Sequence, residues 1–84
     1  MFIQSDQKLR IELREGNSSI SMNKNFIGTW EQLRAELLKF FPEAANIEKT
    51  PVVRVVTTCR VEGKIITKSF SMYGVPAKAI QDAV

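Results

Sequence analysis

Between Lys8 and Arg14 apolar and charged residues alternate strictly. Leu9, Ile11 and Leu13 are set between Lys8, Arg10, Glu12 and Arg14, the period-2 pattern of a strand with one buried face. Gly16, Asn17 and Ser18 supply turn chemistry, after which Ile20 and Met22 alternate with Ser19, Ser21 and Asn23. The pattern predicts a hairpin whose second strand is the weaker.

The period changes after Thr29. Thr29 and Gln32 have capping-box spacing, so a helix is predicted from Trp30. At about 100° per residue, Trp30, Leu33, Leu37, Leu38, Phe40 and Phe41 share one arc, predicting a broad aromatic face packed on a sheet. Arg34 falls inside that arc and is expected to snorkel from the edge of the core. Pro42 disfavours helical geometry at Phe41 and ends the element, leaving Glu43 to Thr50 as a connector.

A second hairpin follows from Glu62 and Gly63 taken as a two-residue turn. Val61 then pairs with Lys64, Cys59 with Ile66, Val55 with Phe70 and Val53 with Met72, which gathers the large apolar side chains on one face and predicts a buried, inert Cys59. The other face receives Arg54, Thr58 and Arg60 from one strand and Thr67, Ser69 and Ser71 from the next, with Val52, Val56 and Ile65 among them. Pro76 suits a first helical turn, and Ala77, Ile80, Ala83 and Val84 can face inward. So short a helix either docks firmly or belongs to a fragment of a longer protein. The predicted architecture is α+β, in the order ββαββα, with an antiparallel sheet of about four strands and helices on one face. Strand order, and whether both hairpins join one sheet, stay open at this level.

Length and composition add bounds. The 84 residues, 44% apolar and 25% charged, suit one small domain over residues 1–84. No stretch approaches the ~20 apolar residues of a membrane span, and Met1 to Arg14 lack a signal-peptide core. A single cysteine fits a reducing compartment, so a cytoplasmic, non-membrane protein is expected. The net charge of +3 is unevenly spread: seven cations and seven carboxylates cancel over residues 1–50, while Arg54, Arg60, Lys64, Lys68 and Lys78 face only Glu62 and Asp82 thereafter. A basic last third favours a polyanion.

Catalytic chemistry is poorly provided for. With no histidine and one cysteine, the usual general base and the common zinc-ligand sets are missing, as are a phosphate-binding glycine loop and a nucleophile elbow. No enzyme activity, cofactor or metal is expected.

The segment VVRVVTTCRVEGKIITKSFSMYGVPAKAIQDAV, residues 52–84, resembles the sheet-and-helix DNA-binding domains of plant ethylene-response factors and of phage integrase arm-binding regions. The matching pieces are Arg54 and Arg60, Gly63 with Lys64, Lys68-Ser69-Phe70-Ser71, Tyr73-Gly74, and Ala77 to Ala83. The resemblance implies DNA recognition by the sheet face through Arg54, Arg60, Lys64 and Lys68, with Phe70 holding the helix to the sheet.

The expected function is therefore non-catalytic binding of duplex DNA in a regulatory or recombination protein of phage or mobile-element type. Its site comprises Arg54, Arg60, Lys64, Lys68, Thr58, Thr67 and Ser69, since arginines read or clamp DNA and lysines and hydroxyls contact phosphates. The alternative is a protein-binding module, an inhibitor or adaptor, that offers a sheet face or edge through Val52, Val56 and Ile65.

Overall fold

The computed structural model describes residues 8–84. Alternation in strand β1 (Lys8–Glu15) buries Leu9, Ile11 and Leu13 and leaves Lys8, Arg10 and Arg14 exposed. β2 (Ser18–Ile27) returns beside it and, at ten residues, is longer than the first strand rather than a weak appendage. β3 (Val52–Val61) and β4 (Lys64–Tyr73) form the second hairpin. Among the described residues there is one antiparallel four-stranded sheet, ordered β2-β1-β3-β4. Both hairpins thus share a sheet, joined where β1 pairs with β3 from Arg10 opposite Thr58 to Glu15 opposite Val53.

The second hairpin has the register expected from its turn, running from Val61 opposite Lys64 to Val52 opposite Tyr73 without a break. Glu62 at φ 52° and Gly63 at φ 80° give the two left-handed residues of a type I′ turn, whose twist matches that of the strands. The first hairpin is less regular. Its register shifts between Arg10 and Glu12, a bulge that gives β2 extra residues opposite Ile11.

Helix α1 (Trp30–Phe40) begins with the predicted capping box. The Gln32 N–H donates to Thr29 Oγ1 at 3.1 Å, and the Thr29 N–H donates to Gln32 Oε1 at 2.8 Å. Gly28 precedes the cap at φ 150°, where a Cβ would lie 2.6 Å from that same Gln32 oxygen. A side chain there would obstruct the cap. A 3-10 turn (Pro42–Ala45) occupies part of the expected connector and buries Ala44, and α2 (Ala77–Ala83) buries Ala77 and Ile80.

The buried residues of both helices join Leu9, Ile11, Leu13, Met22, Val53, Val55 and Met72 in one core cluster. Thr57, the one buried polar residue among those described, satisfies its hydroxyl by donating to the Lys68 carbonyl at 2.8 Å. Trp30 is half-buried, edge-on to Phe70 with centroids 5.9 Å apart, and its indole N–H is buried without an acceptor among the described residues.

Three apolar expectations are corrected. Phe40 is 61% exposed although it shares the side of Leu33 and Leu37, because it is the last residue of α1, beyond the end of their buried stripe. Ile66 is 39% exposed and Cys59 only half-buried, although both have the parity of the helix-covered face. The reason is length. Eleven residues of helix span about 16 Å, whereas ten of strand span about 33 Å, so α1 covers the Tyr73 end of the second hairpin and leaves its tip bare.

Candidate nucleic-acid interface

Pairing and parity fix what the uncovered face of the sheet presents. Successive rows across it read Asn25, Arg10, Thr58, Thr67; then Ser21, Glu12, Val56, Ser69; then Ser19, Arg14, Arg54, Ser71. Lys8 and Arg60 have the same parity on β1 and β3, nearer the tip of the second hairpin. Lys8, Arg10, Arg14, Arg54 and Arg60 are all exposed. Glu12 is the single carboxylate among them, so the described residues of this face have a net charge of +4. The other described residues, with seven cations and seven carboxylates, are neutral in sum.

Arg14 stands directly opposite Arg54 in the β1–β3 ladder. Like charges so placed destabilise a sheet. Part of that repulsion is relieved by Glu12, which lies 3.3 Å from the Arg14 guanidinium and also accepts a hydrogen bond from Ser19. The Ser19 hydroxyl first, and the Arg14 guanidinium second, hold the Glu12 carboxyl below the usual carboxylate range, with Arg10 adding to the effect. Nothing equivalent accompanies Arg54 or Arg60: Arg14–Glu12 is the sole ion pair among the described residues. An open hollow of about 300 Å³ between Arg10, Glu12, Ser21 and Thr58 leaves room beside these cations for a charged group.

Of the seven residues singled out in the sequence, Arg54, Arg60, Thr58, Thr67 and Ser69 come together on this face. Lys64 and Lys68 do not join them. Their partners Val61 and Thr57 belong to the helix side, and the Lys68 ammonium lies 5.7 Å from the centre of the Trp30 ring, within cation–π range. Phe70 likewise meets Trp30 of α1, the first helix, rather than standing alone beneath the second.

Lys8, Arg10 and Arg14 were missed as site residues. Their parity was readable from the alternation of β1, but their neighbours on β3 depend on a pairing between segments some forty residues apart. No group of three His, Cys, Asp or Glu suited to a metal occurs among the described residues, and no helix there is long and apolar enough to cross a membrane. Comparison of the chain with known protein families, with curated proteins and with solved structures finds no match.

Proposed function

We propose that this chain is a non-catalytic DNA-binding domain, of a regulatory or recombination type such as phages and mobile elements use, and that it contacts duplex DNA through the uncovered face of its sheet. The observation that supports this reading best is the juxtaposed Arg14 and Arg54, with Arg10 and Arg60 farther along the same face, whose described residues carry a net charge of +4. Four guanidiniums can donate to phosphate oxygens, and Ser21, Thr58, Thr67 and Ser69 add neutral donors between them.

The face has no aromatic side chain in its three central rows, so base stacking, the usual basis of single-strand recognition, is not provided. The proposed interaction is with the backbone of a duplex, dominated by counterion release. A protein-binding role through Val52, Val56 and Ile65 is less well supported. Val52 and Ile65 are 44% and 65% exposed but stand at opposite ends of the second hairpin, and an interface of this kind favours a contiguous patch.

Fluorescence anisotropy with mixed-sequence duplex over a salt series tests the proposal. Arg14→Ala/Arg54→Ala is expected to weaken binding and to lower the slope of log K against log salt by about 2. Lys64→Ala/Lys68→Ala, on the other side, serves as the control and is expected to change binding much less. Absence of binding at low salt, or equal loss from the two pairs, would overturn the assignment to this face.

A further inference from the structure

Among the described residues the sheet has two edges, and only one is defended. β2 is bulged, and at its side the Lys24 ammonium donates to the Val84 carbonyl beyond α2. Bulges of this kind discourage strand addition. β4 has no bulge over its ten residues, and every residue from Lys64 to Lys68 is exposed. Ala45 and Ile47 share a hollow with Ser71 and Tyr73 at the far end of this edge, which leaves Lys64 to Ser69 as its bare part.

The two-residue turn makes Val61–Lys64 a hydrogen-bonded pair, and every second pair after it follows suit. The main-chain N–H and C=O groups of Lys64, Ile66 and Lys68 therefore point to β3. Those of Ile65, Thr67 and Ser69 point away from the sheet, without strand partners among the described residues.

From these groups we infer that β4 pairs with β4 of a second copy of the chain, antiparallel about a two-fold axis at Thr67, to make a continuous eight-stranded sheet. The residues of this edge complement themselves in that register. Thr67 meets its own symmetry mate, a favourable cross-strand pair. Ile65 meets Ser69, Ile66 meets Lys68, and Lys64 meets Phe70. Moving the axis by one residue, to Ile66 or Lys68, would set Lys64 against Lys68 or Lys68 against itself, which like-charge repulsion disfavours. Ile66, exposed because α1 stops short of it, would lie under the aliphatic stem of the partner's lysine. This pairing does not rest on the DNA-binding proposal, since main-chain groups of the β4 edge carry it, although the Thr67–Thr67 and Ile65–Ser69 side-chain pairs stand at the margin of the basic face.

Sedimentation equilibrium of the whole chain is the test, with a dimer of twice the 9.5 kDa chain mass expected at micromolar to submillimolar protein. Thr67→Lys places two ammonium groups at the axis and is expected to raise the dimer dissociation constant at least about tenfold. Thr67→Pro removes an N–H that faces away from β3, so the internal ladder is kept while the intermolecular bond is lost. Circular dichroism verifies folding, and should the proline variant unfold, the lysine variant decides. A monomeric wild type, or a dimer that a folded Thr67→Lys variant leaves intact, would overturn the inference; such a dimer would point to another surface.

Discussion

The first hairpin is bulged, flanked by α2, and buries Leu9, Ile11 and Leu13 of its inner strand; the second keeps register for ten pairs and extends past the helix that should cover it. The same secondary structure thus serves two ends. Where a strand is overlain by helices, alternation produces core, and irregularity at its outer edge limits unwanted pairing. Where a hairpin outruns its cover, the same alternation exposes residues such as Ile65 and Ile66 on both faces, and regular register keeps a ribbon stiff enough to present them.

That contrast is most open to attack through stability. Leu13→Ala, at a fully buried site in the first hairpin, is expected to cost about 3 kcal/mol, whereas Ile66→Ala at the bare tip should cost less than about 1 kcal/mol. Urea denaturation measures both, and similar costs would mean that the tip is as well covered as the core.

Trp30 marks the limit of coverage. Trp30→Ala is expected to lose about 2–3 kcal/mol by removing its packing on Phe70, while Trp30→Phe should cost less than half as much, because it also removes a buried N–H that has no acceptor among the described residues. A phenylalanine variant as unstable as the alanine one would show that the indole N–H is satisfied after all.

The turn of the regular hairpin is next. Glu62 holds φ 52°, a conformation that Asn adopts more readily, so Glu62→Asn is expected to stabilise by about 0.5–1 kcal/mol. A thermal midpoint that rises by several degrees would agree; a lower one would mean that the glutamate has an interaction worth more than its backbone strain.

The smallest effect concerns the shared open face. The folded-state pKa of Glu12 is depressed, so its contribution to stability is present above the unfolded carboxylate pKa and fades as pH falls through the lower folded value. Over that fall the face gains a positive charge. Duplex binding is expected to strengthen modestly on acidification, and Glu12→Gln should bind more tightly at neutral pH and lose that part of the pH dependence. Anisotropy at several pH values measures it, and an unchanged profile would remove Glu12 from the interface.

Much of this architecture was legible in short-range pattern. The alternation about Leu9, the Thr29–Gln32 cap and the Glu62-Gly63 turn each specify geometry within a few residues, and all three have the expected form. What pattern could not supply was the β1–β3 pairing, because β1 could have joined any free edge without altering its own alternation. The basic face consequently looked like a property of the last third of the chain, when Arg10 and Arg14 stand beside Thr58 and Arg54. Cys59 and Ile66 were misjudged for another reason: parity tells which face a residue points to, but not how far a helix extends over it. The lengths of α1 and β4, eleven residues of helix against ten of strand, carry that information.

The Trp30 contact has one more consequence. Trp30 is the only tryptophan in the chain, and it sits where the first helix meets the last strand, between Phe70 and the Lys68 ammonium. The molecule therefore contains its own optical reporter at the boundary between its covered and bare regions. Any event that shifts the helix against the strand, or draws the ammonium away from the ring, should register in the colour and intensity of a single emission band, without an attached label.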